Sequence, residues 1–168
     1  MKVLKSYRDN YFTQWNMEEW SKNAEVSSVA RFDYVSVNQM QRGDVAQESV
    51  AWLKKNAGLN FDLLGSLRES IPRDGMFSPI ILVRTTHRYW EKFIGKNFWL
   101  SIPYVIQSGN NRYRVAVEND YTHISSIMLG INVDPRVFNY LQDELKKPLK
   151  EKIRVDKDYI RNTKGLLI

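Results

Sequence analysis

Cysteine is absent from this 168-residue chain, and only two histidines are present. The lack of cysteine excludes disulfide bonds, thiolate zinc sites and cysteine nucleophiles, and it fits a reducing cytoplasm. The two histidines do not have metal-ligand spacing, so we predict no metal site. No apolar run approaches the roughly 20 residues that a membrane helix needs. The first residues also lack the apolar core of a secretion signal. We therefore expect a cytoplasmic protein without a membrane partner.

Positive charge is concentrated near the end of the sequence. The net charge is +6, and the segment from Leu145 to Ile168, with eight cations and three anions, carries +5 of it. A basic segment suits the phosphates of nucleic acids or nucleotides. A solvated basic helix is the alternative. The candidate nucleic-acid contacts in this segment are Lys146, Lys147 and Lys150.

Strand and helix patterns alternate along the chain, which predicts an α+β (mixed α/β) fold with a small mixed sheet and short helices. Strands are predicted at "RFDYVSVNQM", "IILVR", "PYVIQ" and "HISSIML". Helices are predicted at "QESVAWLKKNAG", "FDLLGSLRES", "NNRYRVAVEN" and "DPRVFNYLQDELKK". Pro72 and Gly75 are expected to end the second helix. Tyr113, Ala116 and Val117 are expected to face the core from the third.

The predicted organisation has a central domain and two helical extensions. Residues 1–31 form an aromatic-rich N-terminal extension, in which Tyr11 and Trp15 begin a short amphipathic helix. Residues 32–132 form the central domain, which includes an inserted segment at 85–103. Residues 133–168 form a C-terminal helix, with Asp134 as its N-cap, and the basic tail.

The turn "SGNNR", Ser108–Arg112, lies where a predicted strand meets a predicted helix. A helix N-terminus offers free N–H groups and the positive end of the helix dipole to an anion. Gly109 allows close approach of the backbone, and Ser108 can cap the helix. Asn110 and Asn111 add neutral donors and acceptors, and Arg112 adds a planar fork that suits phosphate. An ordinary tight turn is the alternative interpretation.

The order of motifs around this turn resembles the ParB/sulfiredoxin family. The resemblance spans about Phe32 to Leu129 and consists of three elements. They are a helix (Leu67, Ser70, Ile71, Gly75), a strand (Pro79, Ile80, Val83) and the turn with its helix (Gly109, Arg112, Ala116). It implies a fold in which the turn holds the phosphates of a nucleoside triphosphate with Mg²⁺. That nucleotide is CTP in chromosome-partition proteins and ATP in sulfiredoxins and related free-serine kinases.

Departures from the family pattern affect the expected chemistry. Asn110 stands where partition proteins have glutamate and sulfiredoxins have cysteine, so sulfiredoxin activity is excluded and a general base is missing. Whether the chain is an enzyme stays open on the sequence. Arg73 lies at the helix end that packs beside the nucleotide in this family. It can reach a phosphate, or it can form a surface ion pair.

The inserted segment 85–103 mixes aromatic residues with Arg88, Lys92 and Lys96, the other candidate nucleic-acid contacts. Such a mixture can stack on bases and follow phosphates. It can instead cover the core through Trp90, Phe93 and Ile94, or bind a protein partner.

Three functions therefore compete. The first is a ParB-like nucleotide- or DNA-binding protein, a type that small bacteriophage-encoded proteins include. The second is a nucleotide-dependent phosphotransferase or hydrolase, or a ParB-type nuclease. The third is an inactive protein-interaction module that uses the inserted segment.

Overall fold

Six strands form one curled mixed sheet in the computed structural model, which describes residues 1–14, 30–43, 64–91, 98–130 and 133–135. The strands are β1 (Val3–Leu4), β2 (Ala30–Ser36), β3 (Met40–Arg42), β4 (Ile80–Arg84), β5 (Tyr104–Ser108) and β6 (His123–Leu129). The helices are α1 (Asp9–Gln14), α2 (residues 64–74), α3 (Arg88–Glu91) and α4 (Asn110–Glu118), and a 3₁₀ turn spans Val37–Gln39. The α+β prediction is confirmed.

β6 is the central strand of the sheet. β2 pairs with it antiparallel along its whole length, from Ala30 opposite Leu129 to Ser36 opposite His123. β1 and β4 both pair with β6 in parallel, at successive positions. Because β2 occupies one edge of β6, β1 and β4 share the other edge. β5 then pairs antiparallel with β4, and β3 pairs parallel with β5. β1 therefore brings the N-terminal residues into the same sheet.

Apolar runs in β4 and β6 explain why these strands lie at the centre. Ile80, Ile81, Leu82 and Val83 are each 0 % exposed, and all residues from Ile124 to Leu129 are buried. Strands covered on both faces have continuous apolar sequences such as that of β4, and in β6 the buried Ser125 and Ser126 interrupt the apolar run. One part of the core joins these strands to helix residues; it includes Ile71 of α2 and Val115 and Ala116 of α4.

The boundaries of α2 differ from the prediction at Pro72. The helix continues through Pro72 to residue 74, and Gly75 with φ 78° follows it. Proline in the last turn removes one backbone hydrogen bond but keeps a helical φ. The Gly75 N–H still donates to the Ile71 carbonyl at 2.9 Å. Gly75, and not Pro72, is the stop signal.

The buried face of α4 also differs from the prediction. Val115 and Ala116 are 0 % exposed, Tyr113 is half-buried, and Val117 is 46 % exposed. The assignment of Val117 to the core was wrong because the inward face follows the helical spacing of Arg112, Val115, Ala116 and Asn119. That face includes the arginine that the sequence pattern assigned to ligand binding.

Several predicted features lie outside the described residues. They are the N-terminal helix beyond Gln14, the helix at "QESVAWLKKNAG", the side chains of Phe93 and Ile94, and the C-terminal helix beyond Pro135. Pro135 itself is helical, and Asp134 before it is 7 % exposed.

Candidate phosphate-binding site

Gly109 shapes the turn between β5 and α4. It is the N-cap residue of α4, has φ 116° and ψ 24°, and provides no side-chain cap. A Cβ at this position would lie 2.8 Å from Ile80 Cβ and even closer to Ile80 Cγ2. Glycine is therefore required both by the left-handed backbone and by contact with β4. Since Gly109 offers no acceptor, the first-turn N–H groups of α4 receive no side-chain cap from their N-cap residue.

Arg112 lies across this turn and joins it to the segment before β4. Its Nη1 donates to the Ser78 carbonyl at 2.6 Å and to the Pro79 carbonyl at 3.3 Å. Its Nη2 lies 3.1 Å from the position that a Cβ on Gly109 would occupy. Burial lowers the pKa of Arg112 to about 10, so the guanidinium is still charged at neutral pH. The arginine is therefore a half-buried cation against the turn and also a structural link.

Asn110 is engaged with the scaffold. Its Oδ1 accepts a hydrogen bond of 3.0 Å from the backbone N–H of Gly43, the residue that follows β3. A Cβ on Gly43 would collide with the Ile106 carbonyl oxygen and lie 3.0 Å from Trp90 Cη2. The amide of Asn110 thus joins the turn to the end of β3, an edge strand of the sheet.

Ser108 and Asn111 complete the turn, and both are half-exposed. Ser108 is the last residue of β5, and it lies opposite Ile81 of β4, where the register shifts between Ile81 and Leu82. Asn111 is in the first turn of α4. The five predicted residues of the turn lie together because they are consecutive in the sequence. They are Ser108, Gly109, Asn110, Asn111 and Arg112.

Two buried polar atoms near the turn have no hydrogen-bond partner among the described residues. They are Ser78 Oγ and Gln107 Oε1. Ser78 is 0 % exposed, and its own carbonyl accepts the hydrogen bond from Arg112. The hydroxyl thus belongs to the residue whose carbonyl binds the guanidinium. Unpaired buried polar atoms carry a free-energy cost and are rare in native proteins.

Arg73 forms an ion pair with its neighbour Asp74, with Nε 2.8 Å from Oδ2 and the arginine side chain 71 % exposed. The hydrogen bond to Asp74 chiefly raises the pKa of Arg73, and Glu69 and Tyr7 also contribute. Among the described residues, Arg73 therefore forms the surface ion pair that was the alternative to a phosphate contact.

The inserted segment is described at residues 85–91 and 98–103. Trp90 is 1 % exposed and packs edge-on against Phe98, with ring centroids 5.3 Å apart. Trp90 is thus part of the core, as the alternative of a core-covering segment expects for this residue. Arg88 is exposed on α3. The other predicted nucleic-acid contacts, Lys92, Lys96, Lys146, Lys147 and Lys150, lie outside the described residues.

His87 is a structural residue. It is 0 % exposed, its Nδ1 accepts from the Tyr89 N–H at 2.9 Å, and its Nε2 lies 2.7 Å from the Val133 carbonyl. Nδ1 is thus the acceptor, and Nε2 carries the proton that is donated to Val133. Burial lowers the pKa of His87, although the hydrogen bond to Val133 and the charge of Asp134 act in the opposite direction.

A buried carboxylate near the N-terminus escaped the sequence patterns. Asp9 is 8 % exposed, and its Oδ1 accepts from Ser6 Oγ and from Ser125 Oγ at 2.6 Å. Its Oδ2 accepts from the Ser6 N–H at 3.0 Å and from Tyr34 Oη at 2.8 Å. Burial and this hydrogen bond raise the pKa of Tyr34 to about 12. The spacing Ser6-x-x-Asp9 is a capping box and was the available signal.

Within the described ranges, no group of three or more His, Asp or Glu side chains is arranged to hold a metal ion. Among the described helices, none has the length and apolar character that a membrane crossing requires. No protein-family model matches the chain, and a search of curated proteins gives no significant match.

Proposed function

We propose that the chain is a ParB-like protein that binds a nucleotide, DNA or both, with a phosphate at the Gly109–Arg112 turn. One observation carries the proposal. A glycine in the left-handed conformation begins a nine-residue helix without a side-chain cap, and a half-buried arginine lies against it. The first-turn N–H groups and the guanidinium are the donors that phosphate oxygens accept.

Electrostatics favours an anion at this place. The N-terminus of a helix carries a partial positive charge, and Arg112 adds a full charge whose burial is unfavourable. The carbonyls of Ser78 and Pro79 offset part of that desolvation with their dipoles. A bound phosphate would offset more of it and would raise the pKa of Arg112 again. The hydroxyl of Ser78 would supply a further donor.

The residues divide into those that shape the turn and those that would contact the ligand. Asn110 binds Gly43 and shapes the turn. Asn111, the backbone N–H groups and the guanidinium of Arg112 are the proposed contacts. Following the resemblance, the ligand would be CTP or ATP with Mg²⁺.

The proposal is tested by thermal unfolding with CTP, ATP, GTP and UTP, each with Mg²⁺, and with tripolyphosphate. A ligand at about 100 times its Kd should stabilise the fold by about 2.7 kcal/mol. Because Arg112 also supports the fold, the informative variant is Asn111→Asp. An aspartate in the first turn favours the helix dipole but repels phosphate. It should therefore keep the melting temperature of the free protein and reduce the ligand-induced shift.

Asn10→Asp is the matched control. Asn10 is exposed in the first turn of α1, so the variant makes the same change of charge in the same helical position elsewhere. It should retain the full ligand-induced shift. Equal loss in both variants would indicate a general effect of charge. No shift with any nucleotide would leave DNA as the remaining ligand, and DNA affinity should then fall steeply with salt.

A second candidate function is a protein-interaction module, favoured by the turn at residues 99–102. Trp99 is 67 % and Leu100 is 62 % exposed. Gln41 holds this turn: its Nε2 donates to the Trp99 carbonyl at 3.0 Å, and its Oε1 accepts from the Trp99 N–H at 2.8 Å. Tryptophan is enriched in interface hot spots, and this one is exposed on a backbone that Gln41 holds. Capture of a specific partner that is lost in Trp99→Ala and is independent of nucleotide would support this function.

A further inference from the structure

Two exposed aromatic rings lie together on the surface formed by the β1–α1 loop and the segment after α2. Tyr7 is 61 % exposed and Phe77 is 42 % exposed, with ring centroids 6.3 Å apart at 73°. The guanidinium carbon of Arg8 lies 4.9 Å from the Phe77 centroid, so a cation covers one part of that ring. The pair combines an apolar surface with positive charge.

Backbone hydrogen bonds fix this aromatic pair. The Tyr7 N–H donates to the Met76 carbonyl at 3.1 Å, and the Met76 N–H donates to the Lys5 carbonyl at 3.2 Å. Gly75 permits this approach, because a Cβ there would lie 3.3 Å from the Lys5 oxygen at φ 78°. The two segments that carry Tyr7 and Phe77 are therefore joined directly.

The buried carboxylate of Asp9 holds the same loop from the side of the sheet. It binds Ser6, next to Tyr7, and it also binds Tyr34 of β2 and Ser125 of β6. The loop is thus tied to two strands. A ring presented on such a loop loses little conformational freedom when a ligand stacks on it.

The aromatic pair is adjacent in sequence to the segment that holds Arg112. Phe77 is followed by Ser78, whose carbonyl accepts from Arg112 at 2.6 Å, and neighbouring Cα atoms are about 3.8 Å apart. Tyr7 is also among the groups that act on Arg73, after Asp74 and Glu69. Two cations, Arg8 at the Phe77 ring and Arg73 near Tyr7, therefore accompany the aromatic pair.

We propose that Tyr7 and Phe77 form a stacking surface for the base of the nucleotide whose phosphate lies at the Gly109–Arg112 turn. This inference rests on the proposed function and names the ligand class: a nucleobase joined to phosphate. The ligand is either a free nucleoside triphosphate or a nucleotide within single-stranded nucleic acid. Stacking on aromatic rings beside cations is the common mode by which proteins hold unpaired bases.

The test measures fluorescence anisotropy of a labelled oligothymidylate of about ten nucleotides, a length that suits one small domain. Alanine substitution of a stacking residue weakens binding by about five- to 100-fold. Tyr7→Ala should show such a loss, and Tyr7→Phe should bind as the wild type does, because stacking needs the ring. Trp99→Ala, an exposed aromatic residue of a different turn, is the matched control and should retain affinity.

An abasic oligonucleotide of the same length separates base contacts from phosphate contacts. It should bind the wild type more weakly, and Tyr7→Ala should cause no further loss. Thermal shifts of the same variants with nucleoside triphosphates distinguish the two ligand sources. If the ligand is a free nucleoside triphosphate, Tyr7→Ala should reduce the thermal shift. If the ligand is single-stranded nucleic acid, Tyr7→Ala should reduce the affinity for the oligonucleotide.

The outcomes separate this inference from the proposed function. If Asn111→Asp weakens binding and Tyr7→Ala does not, the stacking surface is refuted and the phosphate site stands. If neither single strands nor nucleotides bind the folded wild type, both are refuted. Because Tyr7→Phe keeps the ring, a loss in that variant as large as in Tyr7→Ala would also overturn the inference.

Discussion

The turns at the two ends of β5 are stabilised by different groups and expose different surfaces. At residues 108–112, a glycine and an arginine bonded to main-chain carbonyls form a polar turn with a helix N-terminus. At residues 99–102, the side-chain amide of Gln41 binds the turn, and Trp99 and Leu100 face outward. The first turn suits an anion, and the second suits an apolar partner. In both turns, polar side chains hold the backbone in place. The type of a residue therefore does not show whether it contacts a ligand or supports the fold.

The largest expected effect is at Gly109. Gly109→Ala introduces a Cβ against Ile80 at a positive φ, so we expect destabilisation of about 3–5 kcal/mol from backbone strain and overpacking together. Urea unfolding measures it. Gly65→Ala is the matched control, because among the described residues no atom outside its own stretch of α2 lies within 4 Å of a Cβ there. That variant should stabilise the protein by about 0.5–1 kcal/mol. Similar effects at both glycines would contradict the close packing of the turn.

Arg112 should have the next largest effect. Arg112→Ala leaves the Ser78 carbonyl without its donor, and loss of a charge-assisted hydrogen bond costs about 1.5–3 kcal/mol. Arg68→Ala removes an exposed two-pronged pair with Glu118 and serves as the control. Its effect in urea unfolding should be much smaller, since surface ion pairs contribute little. An equal effect would mean that Arg112 is no more structural than a surface residue.

Gln41 tests the other turn. The side chain is 7 % exposed and binds both backbone groups of Trp99, so Gln41→Ala should destabilise by about 1–2 kcal/mol. It should also speed hydrogen exchange of the Trp99 N–H, which would lose its acceptor. The Gly109–Arg112 amides should keep their exchange rates. A change at both turns would show that they are coupled through β5.

His87 should have a smaller effect on the free energy of unfolding, and this effect should depend on pH. Its pKa is lowered in the fold, so the unfolded chain binds the proton first as pH falls. Its contribution to stability should be constant above about pH 6.5 and decrease as the pH falls below that value. In His87→Gln, the free energy of unfolding in urea should not show this decrease at low pH. His123→Gln removes the other histidine and should retain it; the reverse result would contradict the assignment.

The sequence patterns located β4, β5, β6 and α4 because apolar runs and a glycine boundary determine these elements locally. They could not show that Asn110 binds Gly43, because this contact joins positions 67 residues apart. The same limit applies to Gln41, which holds a turn far along the chain. Arg112 was identified as part of the turn, but its bonds to Ser78 and Pro79 depend on tertiary packing.

The N-terminal residues were the least predictable part of the fold. A two-residue strand has no detectable periodicity, and β1 exists because β6 offers an edge beside β4. The Ser6-x-x-Asp9 spacing indicates a helix start, but the contacts with Tyr34 and Ser125 come from the sheet. Tyr7 and Phe77 are ordinary aromatic residues in sequence and become neighbours only through the bridge between Ser6 and Met76.

The most direct test of the central claim is a titration of the ¹⁵N-labelled protein with nucleoside triphosphates, followed by amide chemical shifts. We expect saturable shifts at Gly109, Asn110, Asn111 and Arg112, which should be reduced in Asn111→Asp and retained in Asn10→Asp. The amides of residues 99–102 should remain unchanged. Saturable shifts confined to another surface would contradict a phosphate site at the N-terminus of α4, and so would the absence of shifts both at millimolar nucleotide and with DNA.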